Sequence, residues 1–241
     1  VMIECCQFAL ILPIVMNDLL ISSEDSYGKS INISLTRIIR YMALFITLFT
    51  PGVYIAITTF NQEMLPTQLL VSFASQRSSV PFPAFAEAMI MMLAFEILRE
   101  GDLRGPTFTT SALSTVGALI LGDAAVNAGI VSPIMIIVLA ITSLSSLLFT
   151  EPEVINGIRW WRLLFMVGGI LFGIIGVLLG FIFFIIKLSS LHSFGLCYLM
   201  PYSPISLVGL KNSMIKFPTK CLNKREPALS SNEMKYRRKN S

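Results

Sequence analysis

The sequence predicts an all-α, polytopic helical membrane protein with about four transmembrane helices and one further amphipathic or re-entrant helix. Three observations predict it. Between Arg162 and Lys187 the run Leu163–Ile186 carries no charge and no hydroxyl. As a helix rising about 1.5 Å per residue it covers roughly 36 Å, more than a hydrocarbon core of about 30 Å. Hydrophobic residues make up 54% of the 241 residues and charged residues only 13%, where a soluble domain has about 25% charged. The net charge of +4 is concentrated near the end of the chain. Lys211, Lys216, Lys220, Lys224, Arg225, Lys235, Arg237, Arg238 and Lys239 stand there against Glu226 and Glu233. A basic tail beside an apolar run is held on the cytoplasmic side by the positive-inside bias. Aromatic residues are not interleaved with these charges, so nucleic acid is not an expected partner.

The elements follow in order. Met2–Ile21 is an apolar approach to the bilayer, either the end of a preceding domain or a re-entrant piece, and Ser22–Ser30 is a polar loop. Leu35–Thr58 is the first crossing helix, with Arg37 and Arg40 at its start and Pro51-Gly52 near its middle. A proline inside a helix removes a hydrogen bond, so a kink is expected at Pro51. A short helix, Pro66–Ser75, leads into VPFPAF, and Ala84–Glu100 is a helix that carries Glu87, Glu96, Arg99 and Glu100. Thr109–Asn127 is rich in small residues, and Ser132–Phe149 opens on Pro133, well placed for a first helical turn. With Arg37, Arg40 and the tail all cytoplasmic, crossings must be even in number. Leu35–Thr58, Thr109–Asn127, Ser132–Phe149 and Leu163–Ile186 meet that condition, and Ala84–Glu100 then lies in the outer interface or dips in without crossing. This arrangement leaves Arg159 and Arg162 outside, against the usual bias.

Charges inside a membrane are costly and tend to be functional. Glu96, Arg99 and Glu100 share one side of the 84–100 helix, and Glu96 and Arg99 are spaced for an i,i+3 ion pair. Glu87 points elsewhere, among Met91, Ala94 and Leu98. Two roles stay open for it: a structural hydrogen bond to a neighbouring helix, or an ion- or gate-coupled carboxylate. On Thr109–Asn127, Ser114, Ala118 and Gly122 recur every fourth residue, a stripe that lets helices approach closely. With Gly117, Leu121 and Asp123 they mark a candidate pore or oligomer helix, against plain packing within the chain.

Chemistry on substrates finds no support. Cys5, Cys6, Cys197 and Cys221 show no metal-ligand spacing, and no metal or cofactor is expected. His192, the single histidine, reads as structural. There is no G-x-x-x-x-G-K-[ST], H-E-x-x-H or G-x-S-x-G, and no second histidine for a triad. The chain is not read as an enzyme.

TTFNQEMLPT at Thr58–Thr67, VPFPAFAEA at Val80–Ala88 and FEILRE at Phe95–Glu100 occur in order. They are followed by VGALILGDAAVNAGIVSP, GIRWWRLLFM and SFGLCYLMPYSP. Together these resemble the membrane domain of the A subunits of GerA-type spore germination receptors of endospore-forming bacteria. The resemblance implies a multi-pass protein of the inner spore membrane that responds to nutrients. Its implied partners are a transporter-like B subunit, a lipoprotein C subunit, membrane lipid and further copies of itself in a homo-oligomer. In such receptors the A subunit is proposed to form a germinant-gated ion channel; the alternative is a non-conducting scaffold that assembles the B and C partners. In that light Thr109–Asn127 is the candidate pore liner, with Val116–Leu121 as its constriction.

The family's motif loop matches at Thr58, Thr59, Phe60, Gln62, Glu63, Met64 and Pro66, and Pro81, Pro83, Glu87, Glu96, Arg99 and Glu100 match as well. Asn61 stands where the family usually has histidine, which removes a group that titrates near neutral pH. DLRGPTFT after Glu100 replaces the family's usual run resembling R-L-P-R-P. Family A subunits usually carry a sizeable hydrophilic domain before the membrane part. Residues 1–32 are therefore expected to be a remnant of a soluble domain and linker, 33–190 the membrane domain, and 191–241 a basic cytoplasmic tail. The chain is then a fragment, a shortened paralogue or the product of a degraded gene.

Overall fold

The computed structural model describes residues 14–22, 25, 28–104, 110–149, 151–203, 205 and 213, with the side chains of 102–116, 118, 119 and 152 outside the description. Among the described residues the fold is all-α. The helices are α1 (Met16–Leu20), α2 (Ser30–Thr59), α3 (Thr67–Arg77), α4 (Ala84–Arg104), α5 (Thr110–Asn127), α6 (Pro133–Ser146) and α7 (Pro152–Ser190). A 3₁₀ turn spans Gln62–Met64, and a small hairpin pairs β1 (His192–Ser193) with β2 (Leu196–Cys197). The expected helices are all present, most with ends shifted by a few residues, while α7 begins well before Leu163, at Pro152. The chain divides into two compact units, one of residues 1–44, 147–157 and 182–241, the other of residues 45–146 and 158–181.

In the first unit, Asp25 is buried and gathers the two arginines at the start of α2. Arg40 reaches both of its carboxylate oxygens, at 2.9 and 3.2 Å, and Arg37 donates from Nε at 3.3 Å. Arg40 also donates to the Leu20 carbonyl at 3.2 Å, which ties α1 to α2. The positive charge at the head of α2 is thus partly neutralised by the polar loop before it. The β1–β2 hairpin pairs His192 with Cys197 and Ser193 with Leu196. Its two turn residues, Phe194 and Gly195, both have positive φ, as a two-residue hairpin of matching twist requires.

The second unit is built around Tyr54, Ile55, Ala88, Met91, Ala125, Met135, Leu139 and Met166. These come from α2, α4, α5, α6 and α7, so one apolar core joins five helices. α4 packs on α5 and α6, and α3 packs on α6. Much apolar surface stays uncovered: Leu93 is 62% exposed, Ile97 63%, Leu171 60% and Phe172 65%. A water-soluble monomer rarely leaves contiguous apolar patches of this kind. Two helices, Ser30–Thr59 and Glu153–Ser190, have the length and composition to cross a membrane, and the apolar α6 is shorter.

One expectation about helix shape is corrected. α2 continues through Pro51 to Thr59 as a single helix, and the backbone is interrupted in α7. Gly173 has φ 63° and ψ −143°, a region open in practice only to glycine. Beyond it the chain folds back. A Cβ on Gly168 would lie 2.9 Å from the Gly176 carbonyl oxygen, and one on Gly180 would lie 3.0 Å from the Phe165 ring. In a straight helix, residues 168 and 176 would be about 12 Å apart along the axis. Leu163–Ile186 is therefore not one straight rod: α7 is a helical hairpin whose arms meet at glycines. Phe49 of α2 packs on both arms, 4.6 Å from the Phe165 ring and 5.3 Å from the Phe181 ring. Pro51-Gly52 supplies the flat place where α2 touches the first arm. A Cβ on Gly52 would sit 2.9 Å from the Phe165 carbonyl oxygen, and one on Gly169 2.6 Å from that of Gly52.

Candidate functional site

The most buried charge of the second unit is Glu87, 0% exposed. Pro81 and Pro83 hold the chain extended before α4, which places Glu87 in the first turn of that helix. From there its carboxylate reaches the start of α6. Ser132 precedes Pro133, and both its backbone N–H (3.0 Å) and its hydroxyl (2.8 Å) donate to Glu87 Oε2. Arg77, in the last turn of α3, brings Nη2 to 3.4 Å from Oε1. Tyr54 of α2 completes the group: its buried hydroxyl is close enough to Ser132, Arg77 and Glu87 to feel all three. That hydroxyl makes no hydrogen bond of standard geometry, and neither does Oε1 of Glu87.

The physical logic is consistent. A carboxylate is favoured at a helix N-terminus, where unpaired N–H groups point outward. Glu87 serves two such ends, those of α4 and α6, while Arg77 sits where a cation suits the end of α3. Four helices thus converge on one side chain. Of the two roles left open for Glu87, the hydrogen bond to a neighbouring helix is present in this geometry. An apolar cavity of about 340 Å³ lies beside Tyr54, lined also by Phe49, Val53 and Phe73.

The motif loop caps a neighbour. Thr58 and Thr59 turn their hydroxyls back onto the carbonyls of Tyr54 (2.8 Å) and Ile55 (2.7 Å), and Gln62 donates to the Thr58 carbonyl at 2.8 Å. Pro66 precedes the first residue of α3. Phe60, Gln62, Glu63 and Pro66 are exposed. Asn61 reaches further along the chain, and its Oδ1 accepts the backbone N–H of Ile174 at 3.1 Å. Ile174 opens the second arm of α7, so Asn61 acts as a cap at the fold-back.

The i,i+3 pairing expected between Glu96 and Arg99 is corrected. Glu96 pairs across to α7, with Arg159 Nη2 at 2.5 Å from its Oε1. The cross-helix partner is closer because α7 presents its first cations directly opposite α4. Arg99 stays near, within electrostatic reach of both Glu96 and Arg159. Glu100 is exposed.

On α5, the side chains of Ser114 and Ala118 lie outside the described residues. Gly117 faces Leu98 of α4, where an added Cβ would lie 3.3 Å away, and Gly122 faces Ile136 of α6 at 3.7 Å. Leu121 is half-buried, while Ile120, Asp123, Ala124 and Asn127 are exposed along one helical face. Cys197 is a free thiol; Cys5, Cys6 and Cys221 lie outside the described residues. No group of His, Cys, Asp and Glu that could hold a metal ion occurs among the described residues.

Sequence reasoning missed Arg77, Ser132 and Tyr54 as partners of Glu87, and Gly173 as a reversal. Ser-Pro at the head of α6 was a readable signal for an N-terminus in want of an anion.

Comparison with known proteins places the chain. The family described as Bacillus/Clostridium GerA spore germination protein matches residues 1–228. Spore germination protein KA of Bacillus subtilis is 42% identical over 235 residues, covering 97% of this chain and 43% of that protein. Spore germination protein B1 of Bacillus subtilis is 36% identical, covering 93% of this chain and 47% of that protein. Spore germination protein GerLA of Bacillus cereus is 31% identical, covering 99% and 49%. The chain therefore spans less than half the length of these curated relatives. No solved structure matches. The order of motifs, the helical architecture and the match over nearly the whole chain agree: this chain belongs to the GerA family of spore germination proteins.

Proposed function

We propose that this chain is the membrane portion of a nutrient germinant receptor subunit, acting in a multi-pass, oligomeric, germinant-gated ion channel of the inner spore membrane. It works there with transporter-like B and lipoprotein C partners. The family match over residues 1–228 carries the reading. The uncovered apolar faces of α4, α6 and α7 support placement in lipid and contact with further subunits. Glu87 supports a gate: one carboxylate linking α2, α3, α4 and α6 gives a motion in any of them a route to the others. In a ring, the face of α5 left open by the chain's own packing is the side free to line a pore. That face carries Ile120, Asp123, Ala124 and Asn127.

Reconstituting the chain with its B and C partners in liposomes and measuring potassium flux on germinant addition tests the reading. Germinant-dependent flux is the expected result; none with all partners present refutes the channel. A scaffold role has one observation in its favour, since Gly117 and Gly122 are occupied by α4 and α6 of the same chain. Single cysteines at Ile120 and Ala124 separate the two readings. Cross-links between copies favour a ring, and cross-links to B or C alone favour the scaffold.

A further inference from the structure

Arg99 of α4 and Arg159 and Arg162 of α7 converge on a single carboxylate. Arg159 pairs with Glu96, and Arg162 lies within electrostatic reach of Glu96, Arg159 and Arg99. Among the described residues three cations face one anion, and counting the exposed Glu100 among the neighbours still leaves one positive charge in excess. The Nε groups of both Arg159 and Arg162 are buried without a hydrogen-bond acceptor. A buried donor left unpaired is costly, and a charged one more so. An acceptor with several oxygens and at least one negative charge would satisfy both donors and the excess charge together. A phosphate ester fits, because guanidinium forks match its oxygens in pairs.

The surroundings narrow its source. Trp160, 76% exposed, stands in the first turns of α7 beside Trp161, and paired indoles mark the headgroup level of a bilayer. The apolar arm begins directly after Arg162. Leu164, Val167 and Leu171 are 38%, 44% and 60% exposed and follow Trp160 along one helical stripe. That stripe lies on the face of α7 turned away from Arg159 and Arg162, so it marks the side of the helix that meets lipid next to the arginine cluster.

We infer that Arg99, Arg159 and Arg162 form a binding site for the phosphate of an anionic phospholipid. The site requires the chain to sit in a bilayer, and it stands whether or not the chain conducts ions.

Thermal unfolding and native mass spectrometry of the full chain in uncharged detergent test this. The probes are dioctanoyl phosphatidylglycerol, dioctanoylglycerol with the same tails and no phosphate, and inorganic phosphate. The phospholipid is expected to raise the unfolding midpoint and to stay bound, and dioctanoylglycerol to do neither. Arg162→Gln and Arg99→Gln, which both spare the Glu96–Arg159 pair, should each weaken phospholipid binding about tenfold or more. Arg162→Lys keeps the charge without the fork and should fall between, which covers the case in which Arg162→Gln does not fold. A response to inorganic phosphate as strong as that to phospholipid would overturn the lipid source and leave a phosphate site. Equal binding of dioctanoylglycerol, no response to either phosphate probe, or unchanged binding in the arginine variants would overturn the site itself.

Discussion

Replacing Glu87 perturbs the point on which four helices depend. Its carboxylate is fully buried, accepts two hydrogen bonds from Ser132 and lies 3.4 Å from Arg77. At that distance, with an effective dielectric near 20, the bare attraction between the charges is about 5 kcal/mol. Desolvation of both groups cancels much of it, so the net coupling should be about 1–3 kcal/mol. Glu87→Ala removes every partner at once and orphans Ser132 and Arg77 in a closed space, at a cost of about 3–5 kcal/mol. Glu87→Gln keeps an acceptor for Ser132 but loses the charge, and should cost about 1.5–3 kcal/mol. The assay is reversible unfolding of the purified chain in detergent micelles, run as a double-mutant cycle with Arg77→Met. A coupling below about 0.5 kcal/mol, within the scatter of independent sites, would refute the ion pair as the energetic centre. Membrane insertion of Glu87→Gln should stay normal while the germination response of the assembled receptor changes; an unchanged response would remove Glu87 from the gate.

Three further outcomes are expected. Asn61→Ala deletes the cap on Ile174 and should cost about 1 kcal/mol, whereas Gly173→Ala forces a Cβ to within 2.5 Å of Asn61 Oδ1 at a disallowed φ and should cost more, about 1–3 kcal/mol from strain alone. Equal stability of Gly173→Ala and the parent would dismiss the reversal. Single cysteines at Gly157, where an added side chain meets open space, and at Lys187 should be labelled by a membrane-impermeant reagent from one and the same side; labelling from opposite sides would mean that α7 crosses. Glu96→Gln leaves three arginines facing one another and should lower the unfolding midpoint at low salt, with partial recovery as salt screens the repulsion; a salt-independent loss would argue against the charge cluster.

Helix positions were legible in the sequence because apolar runs, prolines and polar loops punctuate this chain clearly. Pro133 marked the start of α6 and Asn127 the end of α5. That Glu87 would need a partner was legible too, since a lone carboxylate among apolar neighbours is unstable. Which partner it takes was not, because Ser132 and Arg77 are brought to it by tertiary packing. The same holds for Glu96: spacing offered Arg99, while the folded chain offers Arg159 at 2.5 Å. The fold-back was hidden by ambiguity in one signal. Gly169, Gly173, Gly176 and Gly180 recur at helical intervals, which suits a continuous packing stripe and a hairpin equally. Only the backbone of Gly173 separates the two. Hydropathy and length record how greasy a segment is and how far it could reach, not whether it turns round on the way.

That reversal changes what the longest apolar run would do in a bilayer. A segment that doubles back surfaces on the leaflet it left, since Gly180 is level with Phe165, three residues from Arg162. Such a loop contributes no passage, so the even tally expected from the charge bias would need a crossing elsewhere. Were one further helix to supply that passage, Arg159 and Arg162 would fall on the inner face, where basic residues belong.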